Sequence, residues 1–234
     1  MRNPWGRTLT PAGEVLVQHA RRILVAHRDA WLGVASVAGA ESGGHVALGL
    51  TQDFVDDRLT ELLAVFARTR PGVRLEFRVG RSSALAAAIT EGALDVAVAM
   101  RAYEGGQEVA VFSRPMCWLC VPDASWASFE ELPIAALDAP CIYREAACAA
   151  LDRVRRPYRL AATGASLSGV KAAVRAGIAV TVRTQQWADA EVRPAPMNSG
   201  LPKLHRVAET SVRVKLLAAP PALELAMMLA GAWA

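Results

Sequence analysis

Residues 45–100 read HVALGLTQDFVDDRLTELLAVFARTRPGVRLEFRVGRSSALAAAITEGALDVAVAM, and their order of elements decides the architecture. HVALGL, 45–50, is an apolar run of strand length. Residues 54–71 carry apolar positions at helical spacing and stop at Pro71, which cannot continue a helix. In residues 73–80 the period falls to two, with Val73, Leu75, Phe77 and Val79 on one face. Residues 82–92 return to a helix ended by Gly92, and LDVAVAM, 94–100, is a further buried strand. Strand, helix, strand, helix, strand means a parallel sheet covered by helices.

The theme continues toward the C-terminus. PMCWLCVP (115–122) and PIAAL (133–137) read as strands, and residues 141–154 enter a helix. YRLAAT (158–163) is a strand, 166–177 a helix with Gly177 at its exit, and IAVTV (178–182) a strand again. Residues 190–207 are loop-rich, SVRVKLLAAPP (211–221) supplies a strand, and 222–233 a terminal helix. A last strand and helix after a second unit suggests that the chain returns to the first. Two α/β lobes joined by two crossovers result, one from 45–100 with 203–234 and the other from 101–202.

Ahead of the lobes, Thr10 fits an N-cap and Pro11 the first helical position of a long helix over 10–38. A seam recurs at Leu16, Ala20, Ile23, His27, Ala30, Val34 and Val37 in heptad-like 4-3 spacing. Such a narrow stripe suits a partner helix in a dimer; packing on its own domain is the other reading. GAESGG, 39–44, is a linker too small and polar to build core. Residues 1–9 are a short basic lead with Arg2 and Arg7.

Composition narrows the function classes. The chain has 234 residues, 53% hydrophobic and 21% charged, with net charge +4. That is globular and mildly basic, compatible with nucleic acid without requiring it. No signal-like segment and no apolar run of membrane length occurs, so the expected location is the cytoplasm and no membrane partner is expected. Cys117 and Cys120 have the CxxC spacing of a redox or zinc half-site, but on a strand residues three apart face opposite ways, so buried structural thiols are expected. The histidines (19, 27, 45 and 205) are scattered, and no Ser–His–Asp grouping, carboxylate pair or metal-ligand spacing emerges. Neither catalysis nor a cofactor is expected.

RTLTPAGEVLVQHARRIL (7–24), HVALGLTQDF (45–54), RPGVRLEFRVG (70–80), ITEGALDVAVA (89–99) and VKAAVRAGIAV (170–180) together resemble LysR-type transcriptional regulators along essentially the whole chain. The resemblance implies a two-lobed, periplasmic-binding-protein-like α/β domain that senses a small molecule, preceded by a linker helix that dimerises. It also implies a winged helix-turn-helix ahead of that helix, of which residues 1–9 would be only the end of the wing, so the helix-turn-helix itself is expected to be missing from this sequence. Arg2 and Arg7 then stand for phosphate contacts, and base-specific DNA binding is expected only through that N-terminal domain. A homo-oligomer, dimer or tetramer, is expected.

Ligands of open α/β sheets lie beyond the carboxyl ends of strands, where helix N-termini point inward. Thr51, Gln52 and Asp53 arrive there in one lobe, followed by Ser82 and Ser83. Ser166, Ser168, Thr181 and Arg183 arrive from the other, and Arg101 and Arg144 could add positive charge. Each hydroxyl can cap a helix, hold a ligand or do both. Asp53 should discourage a carboxylate placed directly on it unless Arg144 or Arg183 offsets its charge. A stand-alone binding module or truncated regulator forming inactive heterodimers, and a small enzyme on the same fold, remain alternative readings.

Overall fold

A computed structural model describes residues 10–13, 16, 19, 44–100, 105–122 and 126–233. Residues 11–13, 16 and 19 are helical, and the Gly13 amide donates to Thr10 Oγ1 at 3.1 Å, the cap expected of Thr10. Leu16 of the apolar seam stands 69% exposed. Ala20, Ile23, His27, Ala30, Val34 and Val37 lie outside the described residues, as do Arg2, Arg7 and Arg101.

The first lobe is built on β1 (His45–Leu50), β2 (Arg74–Val79) and β3 (Val96–Met100), which run parallel in the order β2-β1-β3. Helices α1 (Asp57–Thr69) and α2 (Ser82–Thr90) connect them. Val46, Leu48 and Leu50 point toward α1 and the C-terminal helix α5 (Pro220–Trp233), whereas Ala47 faces Leu85 and Ile89 of α2. Alternation along β1 thus explains how one short strand feeds two cores. β2 is the edge strand, and its apolar face is only partly covered, Phe77 being 47% exposed.

β4 (Gln107–Cys120) and β9 (Val207–Val214) close the lobe. β9 is antiparallel to both β3 and β4, so the chain does return to the first sheet. β4 does not stop there. Its residues 107–115 pair with β9, and Met116–Leu119 pair with β7 (Thr181–Thr184) of the second lobe. The partner of β4 thus changes between Pro115 and Met116. The short β8 (Arg193–Pro194) joins the end of β4. The second lobe adds β5 (Leu132–Leu137) parallel to β6 (Tyr158–Gly164), and Val180 bridges β5 just before β7. Helices α3 (Ile142–Arg153) and α4 (Leu167–Arg175) cover its faces. Among the described residues no helix is long and apolar enough to cross a membrane.

The first helix begins later than its apolar pattern implies. Gln52–Phe54 form a single 3-10 turn, and α1 starts only after Asp56, whose carboxylate accepts from the Leu59 amide at 3.0 Å. Thr51, at the cap position of the 3-10 turn, forms no such bond. Phe54 anchors the turn: it is 3% exposed, its ring centroid 4.9 Å from Trp233 and 6.4 Å from Phe112 in edge-on contacts. Phe54→Ala is expected to cost about 3–5 kcal/mol in urea unfolding, the range for a truncated core aromatic.

Asp189 fastens the loop after β7 to α4. It accepts from Lys171 at 2.7 Å, from Arg175 at 2.9 Å and from the Glu191 and Val192 amides at 2.9 Å each. Desolvation pushes its carboxyl up, but Lys171, the two amides and Arg175 outweigh it and hold it well below the usual carboxylate range. A depressed folded-state value means stability present above the unfolded value of 3.8 and lost as pH falls below it. Asp189→Asn is expected to lower neutral-pH stability by about 1 kcal/mol, with screening included, and to flatten the acid limb of a melting-temperature profile.

Candidate functional site

The carboxyl ends of β1, β2, β5 and β6 meet between the lobes around a cavity of about 340 Å³. Thr51, Gln52 and Asp53 line it from the turn after β1, and Gly80 through Ser83 from the start of α2. Cys141, Ile142 and Tyr143 line it from the start of α3, and Arg183 enters from β7.

Arg183 is the least expected group chemically. It is 1% exposed and stacks over Tyr143, 4.5 Å from guanidinium carbon to ring centroid. Its Nη1 donates to Asp53 Oδ1 at 3.2 Å across the cleft, while Nε and Nη2 are buried without acceptors. Thr51 Oγ1 is likewise buried and unpaired. Burial raises the Asp53 carboxyl above the ordinary carboxylate range, against the opposing pull of Arg183. Burial also keeps the Tyr143 phenol neutral, its ionisation pushed well up.

Three further side chains span the lobes. Gln52 Nε2 donates to the Ala165 carbonyl at 2.8 Å, and its Oε1 accepts from the Leu167 amide at 2.6 Å. Arg81 Nη1 donates to the carbonyls of Asp138 at 3.3 Å and Pro140 at 3.1 Å. The Tyr143 hydroxyl reaches Met100 Sδ at 3.8 Å. Gln52 thereby occupies the amino end of α4, a position suited to an anion.

The structure sorts the residues read from sequence. Thr51, Gln52, Asp53, Ser82, Ser83 and Arg183 all line the cavity. Ser82 does more than face it, because its hydroxyl accepts from the Met100 amide at 3.1 Å and ties α2 to β3. Ser166 and Ser168 do not line the cavity. Ser166 caps α4 by accepting from Gly169 at 3.4 Å, and the two hydroxyls bond at 2.7 Å. Arg144 and Thr181 flank a crevice behind Arg183 instead. One helical step decides this: Tyr143 turns inward, so its neighbour Arg144 points away. Sequence reading passed over Arg81, Tyr143, Met100 and Cys141. Their signal was position: each sits at a strand end or helix start, and Arg81, Tyr143 and Met100 adjoin a residue that was chosen.

The CxxC pair lies in β4 as expected of a strand. Cys117 packs with the core around Leu119 and Val174, Cys120 with the core around Trp118 and Trp126. Both thiols are free, and burial pushes the Cys117 thiol up to about 11, far from the thiolate that redox chemistry needs. Among the described residues no group of three His, Cys, Asp or Glu could hold a metal.

Residues 39–202 match the LysR substrate binding domain. This chain belongs to the LysR family of transcriptional regulators. The HTH-type transcriptional regulator DgdR of Burkholderia cepacia is 32% identical over 205 residues, covering 88% of this chain and 69% of that one. PecT of Dickeya dadantii, also an HTH-type transcriptional regulator, is 26% identical over 85% of this chain and 62% of its own length. Thus the LysR chain described here spans about two thirds of these relatives. Among solved structures, an OxyR mutant from Corynebacterium glutamicum superposes with TM-score 0.60 at 20% identity, over 100% of this chain and 78% of that one. The CcmR regulatory domain of Synechocystis PCC6803, in complex with 2-PG, gives 0.59 at 14% identity over 80% and 97%. Full-length CbnR in complex with its target DNA gives 0.58 at 14% identity over 97% and 85%. At such identities they establish the fold.

The ion pair in this LysR domain can be dissected by unfolding. Arg183→Met leaves Asp53 buried without its cation and is expected to cost about 3 kcal/mol. Adding Asp53→Asn removes the stranded charge, and the double variant is expected to recover most of that loss in a urea double-mutant cycle.

Proposed function

We propose that this chain is the sensing and coupling part of a LysR-type regulator, acting in the cytoplasm and catalysing no reaction. A small polar effector binds between the lobes, held by Thr51, Gln52, Asp53, Ser82, Ser83 and Arg183. Ser166 serves by keeping the α4 terminus in place. The observation that carries this reading is the cleft itself. Its polar lining comes from both lobes, and the buried donors of Arg183 and Thr51 lack partners. Unpaired buried donors cost free energy that a ligand can recover. The CcmR regulatory domain is a neighbour of the same fold in complex with 2-PG, and CbnR is one in complex with its target DNA.

An effector shifts lobe closure only by its different affinity for the open and closed arrangements. Linker helices paired along Leu16, Ala20, Ile23, His27, Ala30 and Val34 in a homo-oligomer pass that shift to DNA. Base reading belongs to the N-terminal helix-turn-helix of the family, with Arg2 and Arg7 on phosphates.

Thermal-shift screening of small acids, amino acids and aromatics is expected to find a stabilising ligand. Thr51→Val and Ser82→Ala should each weaken it about tenfold, some 1.4 kcal/mol. A screen without any hit, or a hit that both variants bind unchanged, removes the cleft as effector site. Independently, Ile23→Asp is expected to shift the chain to monomer in sedimentation velocity; unchanged assembly places the oligomer contact elsewhere.

A further inference from the structure

We propose that Arg114 is a positioning residue for the cleft. From outside the cavity it holds the turn that carries Asp53 and the strand end that carries Arg183 where the two can meet. The proposal rests on the cleft being the effector site and names what sets its two walls.

Both walls need outside support. Asp53 sits in the single 3-10 turn Gln52–Phe54. Arg183 sits in β7, four residues long, which leads into a second 3-10 turn, Gln185–Trp187. One such turn has poor hydrogen-bond geometry and persists through what it packs against. The Asp53–Arg183 contact is one hydrogen bond at 3.2 Å, and its length depends on where each turn is held.

Arg114 reaches the supports of both turns. It lies half-buried in β4, one residue before Pro115. Its Nη2 donates to the Trp233 carbonyl at 2.7 Å, at the end of α5. The last carbonyls of a helix lack partners within it, and a cation suits that end of the dipole. The Trp233 ring in turn meets Phe54 at 4.9 Å between centroids, and Phe54 is the last residue of the Asp53 turn. Arg114 also stands 5.8 Å over the ring of Phe112, the other edge-on neighbour of Phe54.

The same guanidinium serves the opposite wall. With the Gln186 side-chain amide in the orientation that satisfies both of its ends, Oε1 accepts from Arg114 Nε at 2.9 Å and from Nη2 at 3.2 Å. Gln186 is the middle residue of the second turn, three residues after Arg183. The planar fork of arginine suits two acceptors at once, here one on each side of the β4 handover. Arg114, Gln186, Phe54 and Trp233 do not line the cavity. Their effect on it therefore runs through the two turns and not through contact with a ligand.

The test is hydrogen exchange read by mass spectrometry on the ligand-free 234-residue chain. The amides of Phe54 and Ala188 close the two turns at 3.0 Å each. In Arg114→Met, residues 51–55 and 185–188 are expected to exchange about tenfold faster, with β1 and β5 little changed. Gln186→Met should release 185–188 and leave 51–55 as in wild type. Gln186→Glu keeps an acceptor for the guanidinium and should leave both turns protected. A second readout is the Asp53–Arg183 coupling from the urea double-mutant cycle, expected to fall by about half in Arg114→Met and to persist in Gln186→Glu. Wild-type exchange at both turns, a uniform rise across the chain, or an unchanged coupling overturns the proposal. Should Arg114→Met not fold, wild-type exchange at 185–188 in Gln186→Met overturns it instead. Because no ligand enters either measurement, a failed effector screen removes the cleft reading alone, whereas unchanged turns and coupling remove the role of Arg114 alone.

Discussion

β4 belongs to two sheets at once, and the rest of the architecture has to accommodate that. Fourteen residues of extended chain span roughly 45 Å at about 3.3 Å per residue, longer than a typical strand. The first part is locked to β9 and the last part to β7, so the lobes cannot separate without breaking a ladder. The partner changes at Pro115, which has no amide hydrogen to donate, and the next amide, of Met116, goes to the Arg206 carbonyl at 3.1 Å. A ladder is thinnest where a donor is missing.

That constraint gives the cross-cleft contacts their meaning. Gln52, Arg81 and the Asp53–Arg183 pair reach from one lobe to the other around the cleft. Between them Thr51 Oγ1 and the Nε and Nη2 of Arg183 stay without partners. Gln52 is instructive because its side-chain amide carries both a donor and an acceptor. It satisfies a carbonyl and an amide at the α4 start together without introducing charge, which a carboxylate side chain there could not do.

The sequence carried the fold well, for reasons visible in particular elements. β1 and β3 are short apolar runs because both faces are covered, and Gly92 and Gly177 end helices at φ +74° and +69°, where side chains are strained. Residues 107–114 were not legible as strand, because QEVAVFSR sits partly exposed and lacks a clear period. For the site, the strand-end rule brought out Thr51 to Asp53, Ser82, Ser83 and Arg183. It could not separate Tyr143 from Arg144, which differ by about 100° of helix rotation. Nor could it foresee that Ser166 would be spent on its own helix, since capping and ligand binding ask for the same hydroxyl.

The Asp53–Arg183 pair is a costly way to join two lobes. Removing two charges from water costs several kcal/mol per ion, and one hydrogen bond at 3.2 Å returns only part of that. The upward shift of the Asp53 carboxyl records the same imbalance: desolvation outweighs its own counter-ion. A protein seeking stability alone would do as well with two apolar side chains of equal volume. What the charges add is geometry: Arg183 from β7 and Asp53 from the turn after β1 meet across the cleft through one hydrogen bond at 3.2 Å, so the pair fixes how the two lobes face each other more than it adds stability.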